Sequence, residues 1–243
     1  YYVIAIPPHA LVDLVENINF PKKEQIKHLH YKGFHKQLSF RLYFKESIKL
    51  DKYVSLSDTD WGIIMVSLTN YWFDSVKLPS KIKSIFSGTC VLGYQNSSFY
   101  KKPIFNLHLD EIKKDIIRQL KSNNTLNNLI SSSNNGKKLD DFKFDIEIWK
   151  EWFDTPHGCD TTEIYWTNTF ETLPYQFNQD IGISNTFLCG SHTLTSLNIA
   201  LMESASESGK LVAKKILDKS KIKHNIFIYN HETKSTFLHI VHK

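Results

Sequence analysis

Apolar positions along this chain repeat with two periods, and the changes from one to the other mark its elements. Residues 1–6 (YYVIAI) form an unbroken apolar run, the pattern of a strand buried on both faces, which Pro7 and Pro8 end. Residues 9–15 then read as a short helix with Pro8 in its first turn, and residues 23–32 as a weakly amphipathic one. Residues 38–44 (LSFRLYF) alternate strictly, as a strand does. Residues 58–73 (DTDWGIIMVSLTNYWF) give a polar turn, an apolar strand and an aromatic cluster of Tyr71, Trp72 and Phe73. That cluster suits either core packing or a substrate wall. Residues 88–93 (GTCVLG) predict a short strand bounded by glycines. In residues 106–120, Leu109, Ile112, Ile116, Ile117 and Leu120 share one face of an amphipathic helix.

Residues 121–141 change to an Asn- and Ser-rich composition, which predicts a surface loop or insertion. Order resumes at residues 142–153 with Trp149 and Trp152, and residues 164–170 predict a strand or an irregular wall. The most informative stretch is 185–217. There Thr186, Phe187, Leu188 and Cys189 form a short strand that ends at Gly190; a polar loop follows, and then a helix. Ala205, Gly209, Val212, Ala213 and Ile216 lie at helical spacing, so a nearly flat inward face is expected, open to close approach by a backbone or a flat ligand. The helix start also presents unpaired N–H groups that favour negative charge. Residues 225–241 alternate about a polar centre and predict a terminal hairpin.

A length of 243 residues, with 41% apolar and 23% charged positions, suits a globular chain of one large or two small domains. Aromatics at 13% favour ring-lined cavities. The net charge of +5 is spread over scattered lysine pairs such as Lys22 with Lys23 and Lys101 with Lys102, which reads as a solvated surface and argues against nucleic acid as a partner. Cys90, Cys159 and Cys189 have no CxxC spacing, which argues against a disulfide framework or zinc ribbon and predicts a reducing, cytoplasmic compartment. The longest apolar run, residues 61–68, falls short of the roughly 20 residues of a membrane span. Because Tyr1 opens directly in a strand pattern, the sequence is expected to begin inside a gene product or after processing.

Two constellations carry candidate chemistry. Residues 154–160 gather Asp154, His157, Cys159 and Asp160, in which a Cys/His pair could make a thiolate nucleophile, although near neighbours in sequence seldom reach that geometry. His28 with His30, and His239 with His242, lack an acid or thiol at metal-ligand spacing, so no metal site is expected. HExxH, GxSxG, GxxxxGK[ST] and GxGxxG are all absent.

Leu188-Cys189-Gly190, followed by Ala200 to Ala205 (ALMESA) and Ser208-Gly209, resembles the C-terminal FAD-contacting segment of flavin-containing amine oxidases and phytoene-desaturase-like oxidoreductases. The resemblance extends to YYVIAIPPHALVDLV as the family's strand-Pro segment, to DTDWGIIMVSLTNYW as its Ser-Pro-Trp segment, and to NLHLDEIKKDIIRQL as a helix of its substrate domain. It implies a mixed α/β fold, the C-terminal part of a Rossmann-like FAD-binding fold with a mixed-sheet substrate domain. The family's N-terminal glycine-rich βαβ unit is absent from this sequence, so FAD is expected only together with that missing half, on the same protein or a separate chain.

The resemblance further implies FAD-binding pieces at 1–17 and 171–218, a substrate domain at 18–170 and a terminal extension at 219–243. Gly190, Ser191, Leu201, Met202, Glu203 and Ala205 would contact the cofactor, the helix start lying at the flavin edge where charge accumulates on reduction. Trp61, Tyr71, Trp72, Tyr165 and Trp166 would wall a cavity for a small hydrophobic or amine substrate. Ser191 replaces the family's acid, and Ser204 replaces a glycine. These departures motivate an alternative, a binding or structural module of the same fold without flavin chemistry.

Overall fold

The computed structural model describes residues 1–50, 53–72, 76–162 and 164–229. They fall into two units, one formed by Tyr1–His35 with Tyr165–Lys243 and the other by Lys36–Ile164. In chain order the strands are β1 (Tyr2–Ile4), β2 (Phe34–His35), β3 (Leu38–Phe44), β4 (Val54–Leu56), β5 (Ile63–Ser67), β6 (Ser84–Cys90), β7 (Phe144–Ile148), β8 (Trp152–Thr155), β9 (Gly158–Thr161), β10 (Tyr165–Trp166) and β11 (Thr186–Leu188). The α-helices are α1 (Pro8–Val15), α2 (Lys23–Gly33), α3 (Leu68–Trp72), α4 (Leu109–Ser122), α5 (Asn124–Ser133) and α6 (Met202–Lys219). The fold is thus mixed α/β, with one five-stranded and three two-stranded sheets among the described residues.

In the first unit β1 runs parallel to β11, with Ile4 opposite Leu188, and each strand leads through a loop into a helix. Leu11 and Val15 of α1, Ile26 and Leu29 of α2, and Phe177, Ile181 and Leu188 bury one another. Pro8 at the start of α1 costs no hydrogen bond there and presets the backbone angle. The expectation of a first strand buried on both faces does not hold. Tyr1, Tyr2 and Val3 are 56%, 68% and 48% exposed, because β1 pairs only with β11 among the described residues.

The second unit is built on an antiparallel sheet in the order β4-β5-β6-β3-β7. Alternation in β3 gives the sheet two unlike faces. Leu38, Phe40, Leu42 and Phe44 join Ile63, Met65, Phe86 and Cys90 in a core closed by Ile112, Ile116 and Leu120 of α4 and by Leu126 and Ile130 of α5. On the opposite face Ser39, Arg41 and Tyr43 lie half-buried beside Ile64, Val66, Ser87 and Thr89.

Three expectations change. The Asn- and Ser-rich stretch contains helix α5, whose Asn123 cap accepts the Leu126 N–H at 2.8 Å and whose Leu126 and Ile130 are wholly buried. Polar composition there conceals an apolar pair at helical spacing. The strand expected over residues 88–93 begins earlier, at Ser84, so Gly88 lies inside it. Residues 225–229 have no regular structure, and the rest of the expected hairpin lies outside the described residues, as do Phe73, His239 and His242.

Gly88 is required by packing, since a Cβ there would enter the Phe40 ring on the neighbouring strand. Gly88→Ala is expected to lower stability by about 1–3 kcal/mol through overpacking, read as a lower urea midpoint. An unchanged midpoint would show that the sheet does not bring the two residues together.

Candidate functional site

The end of β11 is fixed by hydrogen bonds on both sides. The Cys189 N–H donates to Ile4 O of β1 at 3.0 Å, and the Leu188 N–H donates to Gln179 O at 3.0 Å. The next residue, Gly190, has φ 140°, and a Cβ there would stand 2.7 Å from the His192 ring, so only glycine fits. The Gly190 N–H donates to Ser208 Oγ of α6 at 3.0 Å, and Thr193 Oγ1 donates to Gly190 O at 2.9 Å. With its proton on that carbonyl, Thr193 Oγ1 is left as acceptor for the Ser208 hydroxyl at 2.7 Å, which closes a ring of three hydrogen bonds.

The loop between Gly190 and α6 is held in the same way. Glu207 accepts both the N–H and the hydroxyl of Ser196, each at 2.8 Å. Thr195 and Asn198 bond each other's backbone N–H through their side chains, and Asn168 Nδ2 donates to Asn198 O at 2.8 Å. Helix α6 then starts at Met202, and its N-cap residue Leu201 makes no side-chain cap hydrogen bond, so the N–H groups of its first turn have no acceptor within the helix.

The inward face of α6 differs from the flat apolar one expected. Its buried residues are Ser204, Glu207, Ser208 and Val212, whereas Ala205 is exposed and Gly209 half-buried. Ser208 and Glu207 accept the backbone N–H groups of Gly190 and Ser196 in the loop beneath, whereas Ser204 is buried without a hydrogen-bond partner. The stripe is still small, but it is polar.

Around this loop several buried polar atoms have no partner: His192 Nε2, Ser204 Oγ, Gln176 Nε2 and Oε1, and Asn168 Oδ1. The segments carrying them run together, since the Leu194 N–H donates to Phe177 O at 2.9 Å and the Trp166 ring meets the His192 ring edge-on at 6.0 Å. Unpaired buried groups are costly. Burial pushes the His192 pKa down to about 4, so the imidazole is neutral at pH 7.

Of the residues expected at a cofactor, Gly190 and Ser191 lie half-buried in the loop, while Leu201, Met202, Glu203 and Ala205 occupy the exposed helix start. Met202 and Glu203 line a cavity of about 330 Å³ together with Glu207, Lys210, Ile228 and Tyr229. The expected cavity aromatics fall in different units. Tyr165 and Trp166 pair with His35 and Phe34 in the first, where Trp166 Nε1 donates to Leu29 O at 3.0 Å. In the second, Tyr71 and Trp72 end α3, and Trp61 lies at the other end of β5, wholly inside the core with Nε1 donating to Gln95 O at 3.2 Å. His192 and Glu207 were not among the expected residues. The available signal for His192 was an imidazole two residues after a glycine at a strand end; nothing in the spacing singles out Glu207.

The cluster at residues 154–160 has structural employment. Asp154 accepts the Leu109 N–H at the start of α4 at 2.8 Å, and Asp160 pairs with Lys36, which lowers its pKa. Burial, with Asp154 and Asp160 nearby, pushes the Cys159 thiol up to about 12, the opposite of what a nucleophile needs. No group of three or more metal-ligating side chains occurs among the described residues, and none of their helices is long and apolar enough to cross a membrane. No family model matches the chain, and no curated protein matches it significantly.

The buried imidazole sets a pH dependence. Unfolding raises its pKa from about 4 to 6.5, so below pH 6.5 the unfolded chain takes up a proton that the folded chain refuses. Its stabilisation is whole above pH 6.5 and falls, by about 3 kcal/mol in all, as the pH drops toward 4. Urea midpoints of the wild type should therefore drop more steeply over this range than those of His192→Gln; parallel profiles would contradict a buried neutral imidazole.

Proposed function

We propose that this chain is the C-terminal portion of an FAD-dependent oxidoreductase of the amine-oxidase and phytoene-desaturase-like kind, acting on a hydrophobic or amine substrate. The observation that carries this reading is the arrangement at the end of β11, where a glycine-only turn, a rigid polar loop and an uncapped helix start adjoin buried polar atoms without partners.

In this reading Gly190 lets the cofactor chain approach the strand end, and the Ser191 side chain stands where the family has an acid. The uncapped first turn of α6 offers N–H groups to the flavin edge, whose polarity suits negative charge accumulating there. Ile199, Leu201 and Met202 are exposed beside it and supply an apolar rim for a flat ring. Ser204 is wholly buried, so its side chain turns into the unit and leaves the outer edge of the turn clear. FAD would supply hydride acceptance; the residues named here bind and orient it.

The partner in this reading is the half that carries the glycine-rich βαβ unit. Exposed Tyr1, Tyr2 and Val3 on a parallel pair support it, because parallel sheets are ordinarily covered on both faces. Trp61 is wholly buried in the core of the second unit and does not line a substrate cavity. Ser191 favours the alternative of a binding module without flavin chemistry, since it removes a carboxylate that holds the cofactor.

Isothermal titration of FAD into the complete protein separates the two. The oxidoreductase reading expects sub-millimolar binding, and absence of binding at millimolar FAD would overturn it in favour of the module.

A further inference from the structure

The net charge of the chain sits in one short stretch. Residues 210–223 hold six lysines and one aspartate, a net +5, and the 30 basic and 25 acidic residues of the full sequence also differ by five, so the remaining positions balance. The even spread of charge expected from the scattered lysine pairs therefore does not hold. Helix α6 carries Lys210, Lys214, Lys215 and Lys219 and ends in a fixed turn, where the Lys221 N–H donates to Asp218 O at 3.0 Å and the Ile222 N–H to Leu217 O at 2.9 Å. Beyond the helix end Lys221, Ile222 and Lys223 are all exposed. Asp218, the one acid of the stretch, is taken by Lys214 at 2.7 Å and His224 at 2.9 Å, and Lys219 lies 3.9 Å from Asp180. Lys210, Lys215, Lys221 and Lys223 have no acidic partner among the described residues.

The chain then returns along α6, since Ile228 lines one cavity with Lys210 and another with Leu211 and Lys215. Ile226 and Ile228 are half-buried, whereas Phe227 and Tyr229, alternating with them, are 72% and 62% exposed, and Ile222 is 55% exposed. Lysines at a helix C-terminus favour the helix dipole, but that effect is confined to the last turn and does not account for Lys210, Lys215 or Lys223. Nor does it account for three large apolar side chains left in water within the same twenty residues.

We propose that residues 210–229 form a docking surface for an anionic phospholipid membrane. The unpaired lysines meet the headgroups, and Ile222, Phe227 and Tyr229 enter the boundary with the acyl chains. Charge complementarity selects this partner, because an anionic leaflet attracts each nearby lysine and offers hydrocarbon just beneath. A nucleic acid would satisfy the lysines through its phosphates but leave Ile222 without an apolar partner. Attachment is to the surface alone, since none of the described helices is long and apolar enough to cross a membrane. Flavin binding is not required for it.

The test is flotation of the complete protein with vesicles of phosphatidylcholine alone or with about 30 mol% phosphatidylserine, the anionic lipid of cytoplasmic leaflets. The wild type is expected to float with the anionic vesicles only, and to be released from them as salt is raised from about 0.1 to about 1 M, which shortens the screening length from about 10 to about 3 Å. That salt series needs no variant. Replacing exposed Lys221 and Lys223 by glutamine should weaken binding about 5-fold for each lysine removed, and Phe227→Ser should weaken it severalfold without abolishing the preference for anionic lipid. Equal binding to both vesicles, absence of binding to either, or a lysine variant that binds like the wild type would overturn the proposal. So would a wild type that ignores vesicles yet is retained by immobilised RNA, which would reassign the lysines to a nucleic acid.

Discussion

The first unit depends on a closed ring of three hydrogen bonds at one residue. Gly190 gives its N–H to Ser208 and receives the Thr193 hydroxyl on its carbonyl, and Ser208 completes the circuit by donating to Thr193. Each bond contributes only about 1 kcal/mol net, but leaving any of these buried groups unpaired costs about 1–3 kcal/mol, so the three form or fail together. The ring fixes the strand end against α6, and Glu207, one position before Ser208, grips Ser196 and holds the loop between them. The polar segment is thereby made part of the framework, and His192 is seated within it.

The second unit reaches order by a different route, through the two faces of its sheet. On the core side Phe40 packs closely over Gly88, and helices α4 and α5 close the core. Midway along α4, Asp115 is wholly buried but receives Arg118 Nε at 2.5 Å and Gln119 Nε2 at 3.1 Å, so its charge has partners. Arg118 also reaches Asp60 at 2.8 Å, which ties the turn before β5 to the helix and, with bonds from Ser98, holds the Asp60 carboxyl below its ordinary pKa. These groups are committed to structure.

Much of this architecture is legible in the chain itself. Strict alternation marked β3 residue for residue, and the apolar run ending in glycine marked β11 and its turn. Reading failed where burial did not follow apolarity. Glu207 and Ser208 face inward on α6 because they have polar groups to meet, which a count of apolar positions at helical spacing cannot register. Leu126 and Ile130 were hidden among asparagines and serines, although Asn123 stood at the N-cap where asparagine is favoured. The continuous run at the N-terminus looked doubly buried because sequence cannot tell how many neighbours a strand will have. Of the candidate site, the glycine and helix start could be located beforehand; the buried imidazole could not, since its importance lies in an absent partner.

The central claim is that the β11 turn and the start of α6 hold a flavin. The most direct measurement is the visible absorption spectrum of the complete protein, purified gently and then desalted. Flavin absorbance that remains with the protein after desalting and is released on denaturation is the result this account predicts. A colourless protein that stays colourless after incubation with FAD and a second desalting would contradict it.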